Sequence, residues 1–508
     1  MQYRLQERIL RMPKSVKSPY WITDKYIYTL LLVYPLFVGF HGYTSLTASK
    51  FVFLAAVTGL WLIALIVSIS KNRLRLGKMS FIQCCMMLFV LACCVSAAVS
   101  PYFKSTLVGE GRFDGLLTIF LSLCIFMGVS AFARLKNGYV IALAVSVSLC
   151  CLIAVFQLFG YNALDLFPND YCYYDGGYEF PGEFLGTIGN AGLFAAFLCL
   201  CIPLFSVYYT TAAVRPPWLL PVIFIGMFCI FASGVSAGKL AICLCLLFSA
   251  PLVISSGERL RRGLDILAIT CLALCAAYSL TFDYDGAELT VSWGFPTLCT
   301  LSAAAAATSV ILRLILKNCE IAAKTVRIAV TSVSVLAVLV CLAAVWNLDG
   351  NEGALYEFSR VMHGEADDSF GSSRILIWRK TLDLVKERPI FGGGPGTLPL
   401  RLDVEFSRYV GETGKTLYGS VDNAHNVYLG ILVNTGAVSL ALYLTAMISS
   451  LAGAIKRQSS TALCLASALL CCWIQDFFGL GLFIVSPIMW TFWGLLHSAV
   501  KNNIRLRV

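Results

Sequence analysis

Runs of about twenty consecutive apolar residues recur along almost the whole chain, and only between Trp346 and Val427 does a long polar stretch interrupt them. A bilayer core is crossed by roughly 20 apolar residues in helical form. Only helices or closed barrels satisfy backbone polar groups in lipid, and runs this long and continuous are helical. The pattern predicts spans at 26–45, 51–70, 80–99, 115–133, 139–160, 187–209, 217–235, 238–255, 263–281, 293–315, 327–346, 427–450, 461–479 and 480–499. The expected class is an all-α polytopic membrane protein of about 14 transmembrane helices, with one large extracytoplasmic loop carrying short surface helices. Residues 1–346 form an N-terminal bundle of about 11 helices, 347–426 the loop, and 427–508 about 3 closing helices. A chain that is 58% hydrophobic and 13% charged, with mean hydropathy +0.80, excludes a soluble domain of this size.

Charge orients the bundle. With the N-terminus inside, the segments expected in the cytoplasm hold 25 of the 38 Lys/Arg and 5 of the 28 Asp/Glu, counting bordering helix ends. Cytoplasmic loops attract Lys and Arg, so both termini belong in the cytoplasm and the 347–426 stretch outside. The formal charge of +10 is then a topology signal, not a nucleic-acid footprint. The N-terminus reads as a basic tail before a retained first helix, because a cleaved signal has a shorter charged region and a small-residue cleavage site. Nearly all of the 21 cysteines fall inside expected helices, where Cys packs as a small hydrophobe. Cys172 sits in an outer loop, and one exposed thiol makes no intramolecular disulfide framework. Neither CxxC-to-His spacing nor an acidic cluster suggests a metal, and no cofactor is expected.

The polar stretch carries the chemistry-bearing pattern. From Ile375 to Val385, apolar Leu376, Ile377, Leu382, Leu384 and Val385 alternate with Arg379, Lys380 and Asp383 at helical spacing. This predicts an amphipathic helix along the membrane surface, capped by Ser372 or Ser373 and ended before Pro389. Arg374 and Trp378 share one face. The turn Gly392–Gly396, GGGPG, offers backbone amides that can approach phosphate closely, with Gly393 and Gly394 at its centre. Asn423–Leu429, NAHNVYL, places His425 and Asn426 just before a membrane helix, at the depth of lipid phosphates.

In order, GSSR-x3-W (Gly371–Trp378), RPIFGGGPGTL (Arg388–Leu398) and HNVYLGILVNTGAVSLALYL (His425–Leu444) resemble the signature region of the O-antigen ligase and O-antigen polymerase superfamily. LVGEGRFDGLLT (Leu107–Thr118) and GTIGNAGLFAAFLCLCIPL (Gly186–Leu204) resemble its recurring upstream segments, so the likeness spans roughly 100–450. The resemblance implies a polytopic glycosyltransferase of the C type, with a polyprenyl-pyrophosphate-linked glycan as donor and a glycan or glycolipid as acceptor outside the plasma membrane. Membrane lipids and other polysaccharide assembly proteins are the implied company; nucleic acid is not. One departure stands out: where the family carries Ser-Arg-Gly, this chain reads SGVSAGKLA (Ser233–Ala241), with Ala237 at the arginine's place and Lys239 two residues on. Lysine is a point charge rather than a bidentate fork.

The same residues suit the chemistry without the family. A departing pyrophosphate develops negative charge, which fixed guanidinium groups in a poorly solvated cleft stabilise. The attacking hydroxyl loses a proton, and a histidine with pKa near ~6.5 can accept it. Arg374 and His425 are therefore the candidate catalytic residues, metal-independent, with Arg379, Arg112, Lys239, Gly393, Gly394 and Asn426 as candidates for binding pyrophosphate or glycan. Each has a plainer reading: helix capping for His425, an interfacial snorkeller for Arg374, a solvated face for Arg379. Arg112 can pair with Glu110 or Asp114, and GGGPG can be only a turn. His363 reads as a loop residue, and Asp476 as an acid at an outer helix end. Against the transferase stands a polysaccharide flippase or other transporter, which would show internal repeats and midplane polar groups; the ionisable residues here gather at the outer mouth instead. A sensor or scaffold with an outer receptor loop would need none of these motifs.

Overall fold

The computed structural model describes residues 14–74, 77–167, 173–175, 178–180, 185–285, 288–292, 296–348, 353–410 and 415–501. Cys172 lies outside the described residues. The chain is helical, with three isolated antiparallel hairpins (Tyr173–Asp175 with Tyr178–Phe180, Thr281–Asp285 with Glu288–Ser292, Glu405–Val410 with Lys415–Ser420) that pair only within themselves.

In chain order the helices are α1 (Lys14–Tyr28), α2 (Leu46–Lys71), α3 (Phe81–Ala98), α4 (Phe103–Val108), α5 (Leu116–Phe132), α6 (Asn137–Leu158), α7 (Ala191–Thr211) and α8 (Leu219–Ala232). They continue as α9 (Ser236–Val253), α10 (Gly257–Ser279), α11 (Pro296–Ile315), α12 (Ala323–Trp346), α13 (Ala354–Met362) and α14 (Phe370–Glu387). The last three are α15 (Val427–Arg457), α16 (Ser460–Gln475) and α17 (Ser486–Lys501). A helix underlies each of the fourteen expected spans. Eight of the described helices are long and apolar enough to cross a membrane by length and composition, and α5, α8 and α16 are shorter apolar helices. The protein is a multi-pass membrane protein.

The first expected span is displaced. α1 continues through a π-helical turn (Thr29–Val33) to Leu36 and stops there, well short of residue 45. Lys50, fully buried on α2, donates to the Tyr34 and Pro35 carbonyls at 3.0 and 3.2 Å. A buried cation thus takes the orphan carbonyls of a helix end, and nothing on α1 alone announces it.

α7 lies at the centre, buried all round, and packs on α16 and α9. α3 packs on α15, and α5 on α17. The polar stretch builds α13 and α14. A small separate core of Ile377, Leu398, Leu402, Val404, Ala424, Leu429 and Val433 ties α14 and the segment after it to the start of α15. The expected surface helix is present but starts differently. Gly371, Ser372 and Ser373 take left-handed backbone angles (φ 63, 58 and 64°), so neither serine caps the helix as expected, and its regular part begins at Arg374.

Candidate functional site

α15 is broken within its first three turns. Gly436 adopts φ 84° and ψ 174°, and a Cβ there would stand 2.1 Å from the Ile390 carbonyl oxygen. The segment 389–394 fills the break and satisfies the freed backbone groups. Ala437 N donates to Pro389 O at 2.9 Å, Gly393 N to Val433 O at 3.0 Å, and Gly394 N to Asn434 O at 2.8 Å. Non-helical backbone at membrane depth is tolerated only where it is packed in this way. Ser100 Oγ, after α3, closes on Gly393 O at 2.5 Å. GGGPG is therefore a buried junction between α3, α14 and α15. The amides of Gly393 and Gly394 already have partners and residues 392–398 are buried, so these two glycines do not form the expected phosphate cradle.

The segment before α15 behaves oppositely. His425 takes φ 48°, outside the regions a side chain normally prefers, with its amide held by Asn423 Oδ1 at 3.0 Å. Trp378 Nε1, on α14, donates to the Ala424 carbonyl at 3.0 Å. Arg112 reaches the same loop from the α4–α5 turn, its Nε and Nη2 donating to both carboxylate oxygens of Asp422 at 2.5 and 2.7 Å. Its partner is Asp422, neither Glu110 nor Asp114. Asn426 is buried and caps α15, its Oδ1 accepting from Leu429 N at 3.0 Å.

Arg374 stands one turn before Trp378 and faces this loop. Nη1 donates to the Gly371 carbonyl at 2.6 Å, while Nε is buried without a partner. Burial lowers its pKa, opposed by Glu357, which accepts from Gly371 N at 2.9 Å and makes no ion pair with the guanidinium. His425 feels the result. Burial first, then the Arg374 and Arg112 guanidiniums, push its imidazole down to about 4, against a smaller upward pull from Asp422. It is neutral at ordinary pH and a weaker base in the empty site than the expected ~6.5. Strained backbone flanks both residues, at Ser372–Ser373 and at His425, which is where functional sites commonly store it.

Two candidates fall elsewhere. Arg379 points to solvent and pairs with Asp368. Lys239, at the start of α9, lies over the Tyr278 ring of α10 at 5.5 Å. His363 Nδ1 donates to the Ser359 carbonyl at 2.8 Å and its ring packs at a tilt against Trp346, away from the site. Three residues to which the sequence assigned no functional role also stand near the site. Asp422 sits in the same loop and orients Arg112. Arg401, half-buried, bonds Asn434 Oδ1 at 2.8 Å, and burial lowers it to about 10. Asp114 lines a cavity of about 180 Å³ behind the histidine loop, together with Asn423, Asn426 and Asp476. Only the charge beside a motif glycine or motif arginine could have flagged them. Among the described residues, no group of three or more His, Cys, Asp or Glu is placed to hold a metal ion.

No curated protein matches the chain. Residues 289–444, the stretch that holds Arg374, the glycine junction and His425, match the family model described as O-antigen ligase, and with the motifs at these positions that match supports a place for this chain in the O-antigen ligase and polymerase superfamily.

Proposed function

We propose that this protein transfers a glycan from a polyprenyl-pyrophosphate carrier to an acceptor hydroxyl outside the plasma membrane, a ligase- or polymerase-like step in cell-surface polysaccharide assembly. The observation that carries the reading is Arg374: a half-buried arginine whose buried Nε has no partner and whose guanidinium has no carboxylate bonded to it, facing a strained histidine. A buried donor without an acceptor is costly, and an anionic group is what would complete it. In this reading the pyrophosphate lies against Arg374, with Arg112 held by Asp422 on the far side of His425. Charge on the departing pyrophosphate grows as the sugar–oxygen bond breaks, so fixed guanidiniums stabilise the transition state more than the ground state. His425 meets the reactants as a neutral imidazole able to donate and accept hydrogen bonds. Bound pyrophosphate, being anionic, raises its basicity again. The scheme calls for no metal, so turnover by purified protein persists with a chelator present; loss in EDTA restored by magnesium refutes it.

The reading needs the site on the outer face, with fourteen spans and both termini inside, as the Lys/Arg bias implies. In intact cells a membrane-impermeant thiol reagent labels a single cysteine introduced at Glu387 and not one at Lys78, in a cysteine-free background. The reverse pattern inverts the topology. A lipid-linked glycan profile of a deletion strain tests the reaction. Accumulated single repeating units identify a polymerase and accumulated full chains a ligase, whereas an unchanged profile removes the enzyme reading.

A further inference from the structure

A carboxyl group outside the Arg374–His425 pair has the surroundings of an acid–base catalyst. Asp114 lies in the turn between α4 and α5. Its Oδ1 is buried and has no hydrogen-bond partner. Two glycine turns close over that oxygen: a Cβ built at Gly109 (φ 93°) or at Gly396 (φ 64°) would stand 2.5 or 2.7 Å from it. Glu110 N donates to Gly396 O at 2.9 Å and holds the two turns together. The obvious counter-ion, Arg112, is two residues away but gives both its donors to Asp422. A buried carboxylate oxygen without a donor costs stability, and the two left-handed glycines leave the room in which it sits.

The carboxyl also borders a cavity. Asp114 lines the space behind the histidine loop, whose polar residues include Asn423, Asn426, Thr118 and Asp476. Amides, hydroxyls and carboxyls of this kind hydrogen-bond sugar hydroxyls. At about 180 Å³ the cavity is smaller than the ~300–1,000 Å³ of pockets that enclose drug-sized ligands. It suits one sugar ring at the end of an acceptor, not a whole repeating unit.

We propose that Asp114 is the proton acceptor for the attacking hydroxyl, an inference that rests on the glycosyl-transfer reading above. The acceptor O–H bond breaks and its proton passes to the Asp114 carboxylate through Oδ2, the oxygen that the glycine turns leave uncovered. The freed oxygen electron pair forms the bond to the anomeric carbon. The bond from that carbon to the phosphate oxygen breaks, its electron pair leaves with the pyrophosphate, and Arg374 holds the charge. The proton returns to water between turnovers. The charged groups facing Asp114 are Arg112, which lowers its pKa, and Asp422, which raises it; burial outweighs the lowering by a backbone hydrogen bond and by Arg112 and pushes the carboxyl up to about 6. His425 is driven the other way, to about 4. At neutral pH the carboxylate is thus ionised and is the stronger base of the two in the ligand-free protein. A general base works best with its pKa near the operating pH.

The test uses the purified full chain, with lipid-linked glycan and acceptor isolated from the deletion strain. Wild type shows kcat/KM falling below about pH 6. Asp114→Asn, the same shape without a basic oxygen, loses about 10²–10⁴ in kcat with little change in KM, and the acid limb disappears. Formate restores part of the turnover of Asp114→Ala, which a merely structural role would not allow. Stability moves the opposite way to activity. The folded carboxyl titrates above its unfolded value, so its charged form weakens the fold above about pH 6. Asp114→Asn therefore melts higher than wild type at pH 7.5, with the gap closing below pH ~4. An Asn variant that keeps wild-type turnover, or that is slow yet retains the acid limb, overturns the proposal. If Asp114→Asn does not fold, the formate arm on Asp114→Ala decides alone. No transfer by wild type in the same assay refutes the glycosyl-transfer reading instead.

Discussion

Two neighbouring segments of this chain have similar sequence credentials as anion sites, and the structure treats them in opposite ways. Gly392–Gly396 is a glycine turn with the flexibility expected of a phosphate cradle, yet it is buried, its amides bonded to the broken end of α15. Asn423–Asn426 has little of that flexibility, yet it carries a strained histidine within electrostatic reach of two guanidiniums. The difference lies in where the backbone donors go. A donor satisfied within the fold builds structure; an unsatisfied one, such as Arg374 Nε, is available to a ligand. Glycine content reports only conformational permission, which serves either end.

The comparison can be broken from the junction side first, where the largest effect is expected. Gly436→Ala puts a methyl group 2.1 Å from the Ile390 oxygen at a left-handed backbone position. It costs at least about 2 kcal/mol, from strain and overpacking together, and folded protein recovered from membranes falls steeply. Gly430→Ala, on the same helix with nothing within 4 Å of its Cβ, holds or gains stability. Equal thermal midpoints for the two variants would remove the junction role.

On the histidine side the effect belongs to rate, not to fold. Arg374→Ala and His425→Ala insert normally and lose about 10²–10³ in turnover, the usual cost of a lost donor at a developing anion. Arg374→Lys remains poor, because an ammonium cannot reproduce the planar fork. The double variant is scarcely worse than the weaker single one, as for residues acting as a unit. Wild-type glycan yield from a well-inserted His425→Ala would take the histidine out of the mechanism.

A smaller effect comes from pH. The folded His425 imidazole titrates near 4, below its unfolded 6.5, so the unfolded chain binds the proton first. The stability linked to this group is fully present above pH 6.5 and is lost as pH falls toward 4. Thermal midpoints at pH 7.5 and 5 should fall further apart in wild type than in His425→Ala; equal gaps would mean the imidazole is more exposed than it is here. Smallest of all is Arg379→Ala. Its exposed pair with Asp368 is worth about 0–1 kcal/mol, and turnover changes by no more than a few-fold.

Sequence alone determined the helices, the surface helix and the place of Arg374, Trp378 and His425, because lipid imposes one backbone solution on any long apolar run and because short-range spacing sets a helix face. It could not say which helices are central. The apolar window of α7 is 83% buried and that of α12 only 6%, at similar hydropathy, since lipid and protein interior are equally apolar. Nor could it tell where α1 ends, since the carbonyls that mark its end are met by Lys50 from the next helix. The fate of each polar group was likewise a long-range matter. Arg112 finds Asp422 across 310 residues, Gly393 and Gly394 find the break in α15, and Asp114 is left unpaired as a consequence. Partners so far apart in the chain are chosen only when the helices pack, and that choice is what separates a donor built into the fold from one left open for a substrate.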